Sequence, residues 1–263
     1  MDDLMTTPVE TSAPRSREVL KRVSRAAGWT SIAIGALILG FVVQQLFVTT
    51  WFAQQNQTAL TEEAEEYFAT AEVSEVDYVP PPLAGNPGED AITPGAGDSS
   101  TDEGTPLVPK KPTLLVESTP ENGSAFAIIR IPTIDRLKDG WTVVEGVELR
   151  NLKNGAGHMP HTPLPGLPGN AVISGHRTTY GAPFHEIDEL VPGDVIEIDT
   201  ALGTHTYEVR ETIIVQPTEL WVTEPRDGAW LTLTTCHPKF SSRQRLIVFA
   251  ELVDGPNWEA IYA

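Results

Sequence analysis

The sequence contains one cysteine, Cys236, at the end of the segment WLTLTTC. Leu231 and Leu233 alternate with polar residues and predict a strand, which ends near Pro238 because proline cannot donate to a β-ladder. A side chain at the end of a strand faces a rim rather than a core. A lone cysteine cannot form a disulfide within the chain, so it is an inert buried residue, an intermolecular link or a free reactive thiol.

Two other side chains at predicted strand ends could complete a nucleophilic site. Arg245 begins the next apolar run, so an antiparallel hairpin would place it beside Cys236, whereas Arg243 lies farther out in the loop and is interpreted as solvated. His176 follows another apolar strand through Gly175, which permits a close backbone approach. A thiolate beside an imidazolium is an effective nucleophile, so these positions favour a reactive thiol over inert filler.

The remaining histidines fit such a site less well. His237 adjoins Cys236 and in an extended chain points to the opposite face. His205 follows a turn and is predicted to lie on the surface. His158 and His161 share a loop but supply only two metal ligands, so neither a metal nor another cofactor is predicted.

The elements that position these residues begin near Gly123. Short β-branched or alternating runs are separated by Pro-Gly turns and predict seven or eight strands in an all-β domain, over 123–257. Runs such as AVISG and RLIVFA are apolar on both faces, which favours a closed barrel with loops or short helices packed outside. The stretch FHEIDEL predicts one helical turn.

The N-terminal region indicates a membrane anchor. Residues 30–50 contain no charge and match one bilayer thickness of helix. Five basic residues precede this run, and the first basic residue after it is Lys110, so the positive-inside rule predicts a cytoplasmic tail over 1–28, a transmembrane signal anchor over 29–51 and an extracytoplasmic remainder. A cleaved signal peptide is the alternative, but the apolar run is long for one.

Residues 52–122 carry a net charge of −12, from two lysines and fourteen acidic residues. A possible short helix begins the segment, and a stretch rich in Pro, Gly, Ser and acidic residues follows. Such a composition predicts a disordered, self-repelling linker. The rest of the chain is only mildly acidic, which excludes a basic nucleic-acid footprint.

The segment TLTTC resembles the TLxTC signature of sortases, the membrane-anchored cysteine transpeptidases of Gram-positive bacteria. The string SGHRTTYGAPF carries the sortase histidine as His176, and RLIVFA carries the sortase arginine as Arg245. The resemblance covers about 125–255. It implies an eight-stranded sortase-like β-barrel, preceded by the transmembrane helix and linker, with catalytic residues His176, Cys236 and Arg245 on one rim.

The resemblance also implies a reaction. Cys236 would attack a C-terminal sorting signal between Thr and Gly, His176 would protonate the leaving amine, and Arg245 would stabilise the oxyanion. The thioester would then pass to an amine of a cell-wall precursor. The implied partners are therefore surface proteins that carry the signal, a peptidoglycan precursor and the membrane.

Within the family, HRTTYGAPF and TTCHP look most like class E, the actinobacterial type associated with LAxTG signals. Tyr180 is then assigned to reading the second signal position, and Thr234 and Thr235 to the peptide groove. The sequence has no Asp-Pro-aromatic lid and no second apolar span, which favours housekeeping anchoring over pilus assembly. The alternatives are a thiol hydrolase of the same signal, a pilin-type sortase and a non-catalytic membrane-anchored binding module.

Overall fold

The computed structural model describes residues 15–44, 49–79 and 112–262, and these form two compact units, 1–48 and 49–263. The helices are α1 Arg15–Val43, α2 Thr49–Thr70, α3 Leu149–Leu152 and α4 Trp258–Tyr262. The strands are β1 Val73–Asp77, β2 Thr113–Glu117, β3 Ala125–Arg130, β4 Trp141–Glu145, β5 Ala156–His158, β6 Gly169–Ser174, β7 Val195–Thr200, β8 Gly203–Val215, β9 Ala229–His237 and β10 Gln244–Asp254.

Helix α1 makes up the described part of the first unit. Its segment Glu18–Val43 has a mean hydropathy of 2.0 and is not buried, so it is long and apolar enough to cross a membrane. The predicted span 29–51 overlaps this helix over 29–43. Residues 45–48 lie outside the described residues, as do 1–14 of the predicted tail, and residues 49–51 begin α2.

Strands β3 to β10 form the predicted eight-stranded closed barrel, in the order β10-β8-β7-β3-β4-β5-β6-β9. The β4–β5 and β6–β9 pairs are parallel and the other described pairs are antiparallel. The parallel β6–β9 pair matters for function, because parallel neighbours end at the same rim. The predicted helical turn is a short 3-10 turn at Ile187–Glu189.

Strand β10 shows why several runs are apolar on both faces. Leu246 and Val248 point into the central core, and Ile247 and Phe249 alternate with them on the outer face. Val222 in the β8–β9 connection and Val215 cover that outer face. Both sides of the strand are therefore removed from water, as expected for a barrel with segments packed outside it.

Helix α2 packs on the barrel, although the composition of 52–122 predicts a linker. Gln57 accepts a hydrogen bond from Thr142 N at 2.9 Å and donates one to Asn154 O at 2.8 Å. Glu63 accepts a hydrogen bond from Ala125 N at 3.1 Å. These polar side chains of α2 form hydrogen bonds with backbone groups of the second unit. A prediction based on apolar content cannot reveal such contacts.

Strands β1 and β2 also depart from the linker prediction. They form a two-stranded antiparallel sheet in which Val73 is paired with Glu117 and Asp77 with Thr113. The possible short helix at the start of this segment is the C-terminal part of α2, whereas the prediction of a disordered linker is wrong where β1 and β2 form. Residues 80–111, the most Pro- and Gly-rich part, lie outside the described residues.

The rim where β6 and β9 begin, called here the far rim, is closed by the segments around it. Asn257 pairs with Leu115 of β2 through Leu115 N at 2.8 Å and Leu115 O at 2.9 Å, and it donates to Gly166 O at 3.1 Å. His205 lies here fully buried, which corrects the surface prediction, and its Nε2 is 3.1 Å from Thr200 Oγ1. Burial lowers the pKa of His205 to about 4, against a smaller opposing effect of Asp199.

Candidate active site

The opposite rim, called here the pocket rim, contains a pocket of about 210 Å³. Its lining residues come from the ends of β6 and β9, the start of β10 and the β4–α3 region: Val147, Leu152, Ser174, Gly175, His176, Thr234, Thr235, Cys236 and Arg245. The fold therefore brings the three predicted catalytic residues to one cavity, although they are far apart in sequence.

Cys236 and Arg245 are directly paired across the β9–β10 hairpin. Both are partly buried, and Cys236 is not in a disulfide. The Arg245 guanidinium donates to Ser242 O at 3.1 Å and Gln244 O at 3.0 Å, so carbonyls of its own loop orient it at the pocket. Arg243 is exposed and does not line the pocket, in agreement with its interpretation as a solvated loop residue.

His176 enters the pocket because β6 ends one residue before Gly175. A Cβ atom on Gly175 would lie 2.5 Å from the ring of Phe184, so only glycine fits without a shift. Nε2 of His176 is buried and has no hydrogen-bond partner among the described residues. Burial, and to a lesser extent the positive charge of Lys153, lower the pKa of His176.

Tyr180 lies beside His176 rather than in the pocket lining, with ring centroids 5.1 Å apart. Lys153 places its ammonium 5.6 Å from the centroid of the Tyr180 ring. Tyr180 and Ala182 have φ values of 52° and 47°, on either side of Gly181 at 77°. Left-handed backbone at non-glycine residues costs on the order of 1 kcal/mol or more, so the surrounding structure holds this loop in a strained form.

Thr234 and Thr235 both line the pocket. Thr235 donates its hydroxyl to Gly175 O at 2.7 Å and is almost fully buried. Thr234 accepts a hydrogen bond from Gly175 N at 3.1 Å through its backbone carbonyl. The two threonines therefore fasten the segment that carries His176 to the strand that carries Cys236.

Several residues at or near the pocket were not among the predicted site residues, and Leu152, Lys153 and Arg177 are three of them. Leu152 is the last residue of α3 and Lys153 is its C-cap, and no sequence motif marks either residue. Arg177 follows His176 directly and is only 2% exposed, and it donates to Cys236 O at 3.3 Å. An arginine in a polar loop is expected to be solvent-exposed, and nothing in the sequence indicates that Arg177 is buried.

The His158 and His161 pair does not form a metal site in the structure. The His158 ring is 2.6 Å from Glu145 Oε2 through Nδ1 and 3.0 Å from Pro163 O through Nε2, so both of its nitrogens are engaged within the protein. Among the described residues there is no group of three or more His, Cys, Asp or Glu side chains that could hold a metal ion.

This barrel and pocket match known proteins. Residues 129–253 match the family model described as Sortase domain. The chain is 31% identical over 150 residues to Sortase SrtE1 of Streptomyces coelicolor, a match that covers 51% of this chain and 42% of that protein. It is 35% identical over 120 residues to Sortase D of Bacillus subtilis, covering 45% of this chain and 58% of that protein.

Among solved structures, that of sortase E from Streptomyces avermitilis is 36% identical, with a TM-score of 0.47, and the match covers 53% of this chain and 95% of that one. The chain belongs to the sortase family through its barrel domain. The SrtE1 and SrtE2 matches support a class E-like sortase. The matched region spans about half the length of these curated relatives, between 42% and 58%.

Proposed function

We propose that the protein is a membrane-anchored cysteine transpeptidase that cleaves a C-terminal sorting signal and transfers the protein to an amine. The observation that carries this proposal is the pairing of Cys236 with Arg245 across the β9–β10 hairpin, in the pocket that also holds His176. A thiol, an imidazole and a guanidinium facing one cavity are the groups that acyl transfer through a thioester requires.

In the proposed reaction the Cys236 thiolate attacks the carbonyl carbon of the signal threonine. Arg245 donates hydrogen bonds to the oxygen, which gains negative charge as the tetrahedral intermediate forms. The imidazolium of His176 gives its proton to the glycine nitrogen as the Thr–Gly bond breaks. The acyl group remains on Cys236 as a thioester until an amine attacks it, and His176 accepts a proton from that amine.

The substrate class is part of the same proposal. The resemblance to class E sortases implies a LAxTG signal, and Tyr180, next to His176, would read the second position through its hydroxyl. An alanine there keeps a backbone N–H that proline lacks, so a hydroxyl acceptor would distinguish the two signals. The acceptor is an amine of a cell-wall precursor.

The location follows from α1 and the charges around it. Basic residues occur before the apolar segment, and none follows it until Lys110. We place the N-terminus in the cytoplasm and the barrel outside the membrane. The substrates would then be secreted surface proteins whose signal peptide reaches the pocket from the extracytoplasmic side.

The test uses the full chain in detergent micelles, because α2 and β2 contribute contacts to the barrel. It is incubated with matched LAxTG and LPxTG peptides and excess amine, and mass spectrometry follows the products. We expect a thioester adduct on the wild type and none on Cys236→Ala, amine-linked product, and a preference for LAxTG that Tyr180→Phe weakens. Only hydrolysed acid would contradict the transfer, and preference for LPxTG would contradict the class E substrate.

A further inference from the structure

Arg177 is a buried charge directly behind the pocket, and the proposed reaction gives it no task. Its side chain is 1% exposed, and its Nη2 forms an ion pair with Asp188 Oδ2 at 2.7 Å. Its Nη1 donates to Cys236 O at 3.3 Å and lies 2.9 Å from His237 Nδ1. Burying a guanidinium is costly unless its partners are well placed, so these contacts constrain the geometry strongly.

These contacts join three segments of the chain. Arg177 lies in the loop after β6, Cys236 and His237 end β9, and Asp188 belongs to the 3-10 turn Ile187–Glu189. The loop is also closed on itself, since His185 Nδ1 is 2.6 Å from Arg177 O. One guanidinium therefore connects the loop that carries His176 to the strand end that carries Cys236.

The contacts lie on two opposite faces of the end of strand β9, as strand geometry requires. Neighbouring residues of a strand point to opposite faces, so when Cys236 faces the pocket, His237 faces away from it. Arg177 meets His237 on that rear side, while His176 lines the pocket in front. Arginine only donates, so its hydrogen bond to His237 Nδ1 uses that nitrogen as an acceptor and lies on the side of β9 away from the pocket.

We propose that Arg177 is a positioning residue that fixes the separation between the His176 imidazole and the Cys236 thiol. The inference rests on the proposed function, because it assumes that these two groups react together. Asp188 orients the guanidinium, and Lys239 competes weakly for Asp188, with its Nζ 3.8 Å from Asp188 Oδ1. Arginine is required because its planar fork donates in several fixed directions, which an ammonium group cannot reproduce.

The test compares Arg177→Met and Arg177→Lys with Arg130→Met in the full chain. Arg130 pairs with Asp199 on strands β3 and β7 and does not line the pocket, so its variant controls for loss of a partly buried ion pair. We expect Arg177→Met to lower kcat about 10²-fold, the effect of a misplacement near 1 Å, with KM within about threefold of wild type. We expect Arg177→Lys to lower kcat about tenfold or more, and Arg130→Met to leave it unchanged.

A double variant separates positioning from folding. Because Arg177 and Asp188 act as one unit, Arg177→Lys with Asp188→Asn is expected to lose no more activity than Arg177→Lys alone. A loss of kcat in the double variant well beyond that of Arg177→Lys would overturn the proposal, as would wild-type kcat in Arg177→Lys. Thermal unfolding of each variant shows whether the change is confined to catalysis, and Arg177→Lys keeps the test informative if Arg177→Met does not fold.

The same proteins distinguish a failure of this inference from a failure of the proposed function. Since Cys236 is the only thiol in the chain, alkylation by iodoacetamide reports on it without any substrate. We expect alkylation to slow several-fold in Arg177→Met, because a displaced His176 imidazolium would stabilise the Cys236 thiolate less. If the wild type forms no thioester with either peptide, the proposed function fails. If the wild type turns over substrate normally, and alkylation and kcat are both unchanged in Arg177→Met, only the role of Arg177 fails.

Discussion

The two rims of the barrel use polar side chains in opposite ways. At the far rim, the Asn257 side chain makes three hydrogen bonds to backbone groups of β2 and the segment before β6. At the pocket rim, His176 Nε2 has no hydrogen-bond partner among the described residues, and Cys236 and Arg245 are only partly buried. The closed rim stabilises the fold, whereas the open rim leaves these groups facing the pocket.

Burial also disfavours the charged forms of two ionisable groups at the far rim. Burial raises the pKa of Glu117 to about 7, against a smaller opposing effect of the hydrogen bond from Ala201 N, and lowers that of His205 to about 4. Loss of charge is the usual response of an ionisable group that is buried without an opposite charge. The comparison therefore predicts activity changes from one rim and stability changes from the other.

The largest expected effect is at the pocket rim. Replacing Arg245 with methionine is expected to lower kcat/KM by about 10²–10³-fold, the loss seen when one donor to an oxyanion is removed. Unfolding of the full chain should change little, because among the described residues the Arg245 guanidinium donates to carbonyls of its own loop. Arg243→Met is the matched control. A loss below about tenfold in Arg245→Met, or an equal loss in the control, would contradict the role assigned to Arg245.

The corresponding change at the far rim is Asn257→Ala. It leaves Leu115 N, Leu115 O and Gly166 O without their partner, and we expect it to lower the free energy of unfolding by about 3 kcal/mol. Activity per folded molecule should remain at the wild-type level. Urea unfolding in mild detergent measures the loss, and Asn154→Ala, at an exposed asparagine, should have little effect. A large loss of kcat in folded Asn257→Ala would show that the two rims are not separate.

A pH series sharpens the far-rim prediction. Because the folded pKa of Glu117 is raised from 4.5 to about 7, its contribution to stability is complete below pH 4.5 and is lost as pH rises through 7. The loss amounts to about 3 kcal/mol at most. His205 acts in the opposite direction, because its lowered pKa removes stability as pH falls from 6.5 towards 4.

Glu117→Gln isolates the first of these effects. The variant mimics the protonated carboxyl, so the difference in unfolding free energy between variant and wild type should grow in favour of the variant from pH 4.5 to 8. Glu121→Gln, at an exposed glutamate, should give no such trend. A difference that is independent of pH would mean that Glu117 does not titrate in this range.

The smallest expected effect is at Lys153. Its positive charge disfavours the imidazolium of His176, so Lys153→Gln should raise the pKa of His176. The imidazolium is the proposed proton donor, and the alkaline limb of the rate profile should therefore move to higher pH. The rate at neutral pH should change by less than about fivefold, as for a screened surface charge. Lys138→Gln is the control, and an alkaline limb that does not move would exclude Lys153 as a modulator of His176.

The barrel and the pocket could be predicted because their signals are local. Turn residues delimit the strands, and strand ends locate His176, Cys236 and Arg245 on rims without any knowledge of the strand order. The parallel β6–β9 pair, which puts His176 and Cys236 on the same rim, has no such local signal. The resemblance to sortases implied only that these residues share one rim, not the strand pairing that brings them there.

The features that the sequence did not reveal share one physical cause. Gln57 of α2 bonds to Asn154, 97 residues away, and Arg177 bonds to Cys236, 59 residues away. From sequence alone, a polar residue is predicted to be solvent-exposed unless its distant partner is known. His205 shows the same error, because its burial depends on Gly166 and Gly255 leaving space for the ring.

The pairing of β1 with β2 changes the meaning of the acidic segment between them. Tyr78 N donates to Pro112 O at 2.8 Å, so the two ends of 80–111 are fixed next to each other. Topologically this segment is an insertion into a hairpin, and its length adds nothing to the chain that joins α1 to the barrel. The chain between α1 and α2 is the five residues between Val43 and Thr49, so lengthening or shortening 80–111 would not alter it.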